Sequence, residues 1–169
     1  EADRLPDDVA AEFLDANGDG YVDLYVCSGG YHNFLPDDSL LQDRLYLNNG
    51  KGFFSRSIDA LPRMPVSTSC VKAADINGDG ATDLFVGGRV IPGRYPEIPE
   101  SFILINDGKG HFTDQTATIA PDLKNAGMIC DAVWIDLNND QQKDLVVAGE
   151  WMPITVYINQ QGKVVNRTA

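Results

Sequence analysis

The chain has 169 residues, of which 43% are hydrophobic, so it can bury a core of its own. Its formal net charge is −12 and its isoelectric point is near 4.3. Such a surface repels nucleic-acid phosphate, which needs clustered Lys and Arg, and it favours cations as partners. No apolar run approaches the roughly eighteen residues of a membrane-spanning helix, so we expect no membrane span.

Two sequence words recur three times along the chain and in the same order. The first word is rich in Asp and its copies start 60 and 61 residues apart. Its copies are DANGDGYVDLYV from Asp15, DINGDGATDLFV from Asp75 and DLNNDQQKDLVV from Asp136. The second word reads RLYLNNGKGFF from Arg44, FILINDGKGHF from Phe102 and VYINQQGKVV from Val156. This recurrence indicates tandem structural repeats.

Each repeat predicts four short strands, because brief runs of β-branched and aromatic residues alternate with Gly, Asn and Asp. The Asn-Gly and Asp-Gly pairs of the second word favour a tight hairpin between the third and fourth strands. The predicted strands are Val9–Leu14, Asp23–Ser28, Arg44–Leu47 and Phe53–Ser57, then Cys70–Ala74, Asp83–Gly87, Phe102–Ile105 and His111–Gln115, and finally Ile129–Ile135, Asp144–Ala148, Ile154–Ile158 and Lys163–Asn166.

Four strands joined in this way form an antiparallel meander, and the predicted class is therefore all-β. Tandem meanders are typical of β-propeller blades, here residues 1–60, 61–120 and 121–169 of one partial propeller domain. Three blades do not close a ring. We therefore expect the chain to be a fragment of a larger propeller of about six to eight blades. The exposed faces of its outer blades would be buried against the remaining blades of the parent chain or against another copy. One helical turn is expected within residues 116–128.

The Asp-rich words predict metal loops between the first and second strands of each blade. Oxygen donors at alternate positions surround one centre, and Ca²⁺ takes about six to eight oxygens in this way. A glycine at the sixth position, Gly20 or Gly80, permits the sharp turn, and a backbone carbonyl is expected to bind from the seventh. The predicted ligands are Asp15, Asn17, Asp19, Tyr21 and Asp23, then Asp75, Asn77, Asp79, Ala81 and Asp83, and finally Asp136, Asn138, Asp140, Gln142 and Asp144.

The three loops predict up to three Ca²⁺ ions, of which the third binds most weakly. Asn139 and Gln141 replace the two glycines there, and Gln141 turns less easily than glycine. Clustered carboxylates repel one another, which a cation relieves, and three Ca²⁺ would change the net charge from −12 to −6. The alternative is that Asp, Asn and Gly serve only as turn formers.

The three cysteines give little information about function. Cys70 and Cys130 lie in apolar runs ahead of an Asp-rich loop, so both are expected to be buried thiols. A disulfide between them is left open, and Cys27 has no predicted role.

The Asp-rich loop followed by an apolar strand and a LYLNNGKGFF-type hairpin resembles the FG-GAP or VCBS repeat family. Blades of this family build the integrin α-subunit propeller and many bacterial surface proteins. The resemblance implies calcium in the blade loops, a secreted, periplasmic or cell-surface location, and a role in adhesion, recognition or carbohydrate contact.

The connections between second and third strands lie at the end of each blade opposite the metal loops. Two of them are long insertions, Gly29–Asp43 and Gly88–Ser101, and the third contains the GEWMP link. Loops on a rigid scaffold commonly carry binding groups, and aromatic and Arg side chains suit a sugar or a peptide. The predicted ligand-binding residues are His32, Arg89, Arg94, Tyr95, Glu97 and Trp151. The alternative is that these side chains merely pack the loops down.

Catalytic constellations are thin in the sequence, and a shared metal or a nucleophile triad is not expected. His32 and His111 lie in different classes of loop, and neither a GxSxG nor a phosphate-binding loop occurs. The leading hypothesis is therefore a non-catalytic, calcium-binding propeller module that recognises an unidentified protein or glycan. The alternatives are the propeller portion of a secreted polysaccharide-acting enzyme and a purely structural spacer.

Overall fold

The computed structural model describes residues 5–168, which form three four-stranded antiparallel sheets. The strands of each sheet pair in chain order, so every sheet is a meander. Sheet I contains β1 (Asp7–Leu14), β2 (Asp23–Gly29), β3 (Arg44–Asn48) and β4 (Phe54–Ser57). Sheet II contains β5 (Ser67–Ala74), β6 (Asp83–Val90), β7 (Phe102–Asn106) and β8 (Phe112–Asp114). Sheet III contains β9 (Met128–Ile135), β10 (Asp144–Glu150), β11 (Thr155–Asn159) and β12 (Val164–Asn166).

The all-β class predicted from the sequence is confirmed, and each predicted strand has its counterpart. The ladder between the first two strands of each sheet is longer than predicted. A shift of register lets the two strands continue to pair beyond the apolar run of the sequence. In sheet II, for example, β6 reaches Val90 and pairs it with Ser67. The predicted helical turn is present as α1 (Thr116–Ile119), followed by a 3₁₀ turn at Pro121–Leu123.

The sheets stack face to face, and a hydrophobic cluster fills each junction. Between sheets I and II, Leu14, Tyr25 and Leu45 meet residues that include Val71 and Leu84. The cluster between sheets II and III repeats the arrangement, with the second half supplied by sheet III. Its members include Phe85, Ile103, Ile129, Leu145 and Tyr157. The core thus lies between sheets, and each junction buries one face of both its sheets.

A buried carboxylate lies at the edge of the junction between sheets I and II. Asp43 accepts hydrogen bonds from the Tyr25 hydroxyl at 2.8 Å, the Ser28 backbone N–H at 2.7 Å and the Thr68 hydroxyl at 2.8 Å. Burial raises the pKa of Asp43 to about 7, and these donors together with the charge of Arg44 oppose the rise. The carboxyl is therefore fully hydrogen-bonded and still titrates near neutrality.

The cysteine predictions are half right. Cys70 is buried as expected, whereas Cys130 is exposed. The cause is a β-bulge, because Asp131 and Ile129 pair with consecutive residues of β10 and leave Cys130 without a cross-strand partner. All three cysteines, including buried Cys27, are free, so no disulfide joins Cys70 to Cys130. Within residues 5–168, none of the helices has the length and apolar character needed to cross a membrane.

Candidate functional site

The first Asp-rich loop connects β1 to β2 and is held by hydrogen bonds among its own residues. The carboxylate of Asp15 accepts from the backbone N–H groups of Gly18 and Gly20, both at 2.9 Å. The carboxylate of Asp19 accepts from the Tyr21 N–H at 2.8 Å and from the Asn17 amide at 2.9 Å. Polar side chains at alternate positions therefore fold the loop onto itself, which is the local behaviour expected of Asp and Asn.

The last Asp of the loop, at its ninth position, is completely buried and ties two elements together. One oxygen of Asp23 accepts from the Ala16 N–H within the loop at 2.9 Å, and the other accepts from the Asn48 N–H at the end of β3 at 2.8 Å. Asp83 and Asp144 repeat both contacts in sheets II and III. This Asp fixes the loop to the third strand of its own sheet.

The second loop repeats the hydrogen bonds of the first, and the third loop differs in one of them, because the Asp140 N–H takes the place of the fourth-position N–H. Asp75 and Asp79 accept from the backbone of their loop as Asp15 and Asp19 do, and the Asn77 amide donates to Asp79 at 2.8 Å. In the third loop Asp136 accepts from Asp140 and Gln141, while Asp140 accepts from Gln142 and Asn138. The N–H groups of Tyr21, Ala81 and Gln142, whose carbonyls were predicted as ligands, all point into their loops.

The third loop keeps the shape of the others without their glycines. Gly18 and Gly20 have φ angles of 73° and 83°, and the second loop has the same pattern. In the third loop, Asn139 and Gln141 adopt φ angles of 62° and 70°. Asn tolerates the left-handed region, whereas Gln does so at a cost of about 1–2 kcal/mol. The sequence difference therefore appears as strain at Gln141 rather than as a different turn.

The donor chemistry of each loop fits a hard cation such as Ca²⁺. Three carboxylates, one amide oxygen and one backbone carbonyl supply only oxygen, the element that Ca²⁺ prefers. Among the described residues 5–168, however, no group of three His, Cys, Asp or Glu side chains is arranged to hold a metal ion. Each loop carboxylate instead accepts N–H donors, one on each oxygen. Since a carboxylate oxygen has two lone pairs, one per oxygen is still available for a cation.

Electrostatics in the second loop favour a positive partner. Burial raises the pKa of Asp83 above its usual range, and the charges of Asp79 and Asp75 act in the same direction. The N–H groups of Asn106 and Ile76 oppose this rise. The loop thus concentrates negative charge around a buried carboxyl, a condition that a bound cation relieves.

The opposite ends of sheets I and II border a cavity of about 600 Å³ that is open to solvent. Its lining comes from the β2–β3 and β6–β7 connections, from the start of β5, from the end of β6, which carries Arg89, and from Val9 of β1. Three of the predicted ligand-binding residues, His32, Arg89 and Tyr95, meet there. The His32 ring lies edge-on to Tyr31 at 5.1 Å between ring centres, and Arg89 pairs with Glu150 of sheet III at 2.6 Å. The lining therefore includes three aromatic rings, and its Arg side chain is paired with a carboxylate.

The other predicted ligand-binding residues lie outside the cavity lining. Trp151 is exposed, yet its indole N–H donates to the Tyr95 hydroxyl at 2.7 Å, which holds the ring beside the cavity. Arg94 and Glu97 contact each other at 3.7 Å as an exposed ion pair. Arg94 lines a different cavity, next to the Pro-rich loop.

Several lining residues were not predicted from the sequence. Tyr31 and the consecutive hydroxyl residues Ser67, Thr68 and Ser69 line the same cavity. Tyr31 directly precedes His32, so its place in the same loop was a usable signal. The three hydroxyl residues belong to β5, and only the docking of sheet II on sheet I brings them to the loops of sheet I.

Comparison with known families identifies the repeat. Residues 15–86 match the model of the FG-GAP-like repeat, from the first Asp-rich loop to the middle of β6. The chain therefore carries an FG-GAP-like repeat, and the family resemblance drawn from the Asp-rich words is confirmed for this stretch. Among curated proteins, none matches the chain significantly.

Proposed function

We propose that the three sheets are consecutive blades of a β-propeller, and that the chain is a non-catalytic, calcium-binding module for extracytoplasmic recognition. Face-to-face stacking of four-stranded meanders with one repeated junction supports the blade arrangement. The all-oxygen loops support calcium, which an extracellular millimolar concentration would supply even to weak sites. A larger ring of about six to eight blades is part of this proposal.

The cavity between sheets I and II is the observation that carries the recognition role. It lies at the opposite end of the sheets from the calcium loops, so the loops stabilise the scaffold while the cavity remains free for a ligand. Its lining includes the aromatic residues Tyr31, His32 and Tyr95 and the hydroxyl residues Ser67 and Ser69. The hydroxyl residues belong to a strand, and the aromatic residues belong to the two connecting loops.

These groups favour a glycan as the ligand. Aromatic rings stack on the apolar face of a sugar, while hydroxyl groups and an Arg side chain bind its hydroxyl groups. Arg89 is already paired with Glu150, so its positive charge is not free to bind an anion. An uncharged saccharide therefore suits the site better than an anion, and a protein segment with an aromatic or amide side chain is the second choice.

A glycan array with the calcium-loaded chain tests this proposal. We expect Tyr95→Ala to weaken binding of any hit by about tenfold or more, which corresponds to about 1.4 kcal/mol. Tyr21→Ala is the matched control, because Tyr21 is equally exposed at 49% but lies at the calcium end of sheet I. Equal affinity of both variants would exclude this cavity as the site. An array without any hit would exclude the glycan.

A further inference from the structure

The chain uses one inter-sheet interface twice, with the same hydrogen bond in both copies. The side-chain amide of Asn106, at the end of β7, donates to the carbonyl of Ala16 in the first Asp-rich loop at 2.8 Å. The amide of Asn159, at the end of β11, donates to the carbonyl of Ile76 in the second loop at 2.9 Å. Ala16 and Ile76 hold the second position of their loops. Each sheet thus docks on the loop of the sheet before it.

Sheet I presents one half of this interface with nothing docked on it, a surface we call the leading face. Asn48 holds the position of Asn106 and Asn159, but its amide donates only within its own sheet, to the Val22 carbonyl at 3.0 Å. The Asn106 amide makes the corresponding bond to Thr82 in addition to the one that crosses to sheet I. Among residues 5–168, no carbonyl of another sheet reaches Asn48.

Aromatic residues of the leading face are also uncovered. Phe54 pairs with Asn48 across the hairpin, as Phe112 pairs with Asn106 in sheet II. Phe112 is 4% exposed, because it packs against sheet I, whereas Phe54 is 43% exposed. Phe13 is exposed as well, at the position that Trp134 holds in sheet III.

The counterpart of Phe13 shows which way that residue points. The Trp134 indole N–H donates to the Lys72 carbonyl of the preceding sheet at 3.1 Å. Residues at this position therefore face the sheet before their own. In sheet I there is no such sheet among the described residues, and the Phe13 side chain is left on the leading face.

Sheet III presents the other half of the interface, which we call the trailing face. Ala16 and Ile76 are at most 2% exposed under the next sheet, but Leu137 at the same loop position is 45% exposed. Ile135 likewise holds the position of buried Leu14 and is exposed. The Leu137 carbonyl is equivalent to those of Ala16 and Ile76, and no described residue donates a hydrogen bond to it.

We propose that the leading face of one chain docks on the trailing face of a second copy of this chain, with the Asn48 amide donating to the Leu137 carbonyl. The proposal rests on the blade arrangement proposed above and extends it to a partner. The leading and trailing faces are the two halves of the interface that already joins sheet I to sheet II and sheet II to sheet III. A second copy of the chain therefore presents a face that is complementary to each of them. The contact is heterologous, and two copies with two such contacts bring together six sheets, within the range of about four to eight blades in closed propellers.

Sedimentation velocity of the 169-residue chain tests this inference. We expect the wild type to sediment at twice the monomer mass of 18.4 kDa. Phe13→Asp disables the leading face and Leu137→Asp disables the trailing face, and both substitutions lie at exposed positions. Each variant alone should be monomeric, because every contact needs one face of each kind. An equimolar mixture of the two variants should recover the dimer through its single intact contact.

Leu35→Asp is the matched control, because Leu35 is exposed in the β2–β3 connection and belongs to neither face. It should remain dimeric, and circular dichroism should show all variants folded. A monomeric wild type, or a variant that still forms a dimer by itself, overturns the proposal. Since calcium and glycan binding are measured separately on the same chain, loss of this association would leave the proposed function standing.

Discussion

Asp43 is a buried carboxylic acid, whereas the equivalent position of sheet II holds the neutral residue Ser101. Both side chains accept a hydrogen bond from a backbone N–H of the second strand. Asp43 accepts from the Ser28 N–H, and at the equivalent position of sheet II the Ser101 hydroxyl accepts from the Gly88 N–H at 3.0 Å. A hydroxyl therefore suffices to satisfy this backbone donor. The carboxyl adds contacts to Tyr25 and to the neighbouring sheet, but it also introduces a group whose pKa is raised to about 7 by burial.

The raised pKa of Asp43 predicts how stability changes with pH. Between about pH 4 and pH 7 the folded protein keeps the proton that the unfolded chain has released, so the free energy of unfolding falls as pH rises. The loss is on the order of 4 kcal/mol and is complete above the folded pKa. Asp43→Asn should remove this slope, as measured by urea unfolding at several pH values in calcium-free buffer.

Comparison of slopes isolates the contribution of Asp43, since all other titrating groups are common to both proteins. Asp59→Asn, at an exposed position, serves as the control and should keep the wild-type slope. A variant at Asp43 with an unchanged slope would show that the buried carboxyl stays ionised across this range.

At the level of single elements, the third Asp-rich loop carries a removable strain. Gln141 has a φ of 70°, where the first two loops have glycine. Gln141→Gly should therefore raise the free energy of unfolding by about 1 kcal/mol, or the melting temperature by about 2–4 °C. The reciprocal change Gly80→Gln should lower the free energy of unfolding, because Gln is strained at the φ of 87° that Gly80 adopts. An added Cβ there meets no atom within 4 Å, so the backbone strain is the whole effect.

Thermal melting of both variants in chelator measures the strain without a contribution from metal. If Gln141→Gly leaves the melting temperature unchanged, the left-handed backbone at this position is not a source of strain. If Gly80→Gln is also neutral, the glycine has no conformational role in its loop.

The strands could be predicted from the sequence because each Asp-rich word ends directly in an apolar strand such as Asp83–Val90. Strand ends could not, since register shifts such as that between Ala148 and Gly149 depend on pairing with the neighbouring strand. The exposure of Cys130 was missed for the same reason. Local patterns therefore predict which segments form strands, whereas register shifts and bulges arise only from the assembled ladder.

The candidate sites were predictable to different extents. The predicted ligands of the Asp-rich loops are all local in sequence, and repetition of the Asp-rich word makes them visible. The cavity combines His32 of one sheet with Ser69 of the next, so only its loop residues could be recognised. The repeated Asn at position 48, 106 and 159 was visible in the hairpin word, but its bond to another sheet follows only from the stacking.

At the level of the whole molecule, calcium removal should lower stability. A ligand that binds only the folded state at 100 times its Kd stabilises a protein by about 2.7 kcal/mol per site. The carboxylates of a loop lie close enough for the charges of Asp79 and Asp75 to raise the pKa of Asp83, and a bound cation relieves this repulsion. We expect chelator to reduce the melting temperature by about 5–10 °C for each site lost.

Substitution within one loop should separate metal binding from the general effect of a chelator. Asp79→Ala removes a carboxylate of the second loop, and the variant should lose part of the calcium-dependent shift. Asp59→Ala, at an exposed position outside the loops, should keep the whole shift. The same melting temperature with and without calcium, together with no calcium by elemental analysis, would mean that hydrogen bonds alone hold the Asp-rich loops in place. In that case the Asp-rich loops would act only as turns, since their carboxylate oxygens already accept N–H donors from the loop and from the third strand.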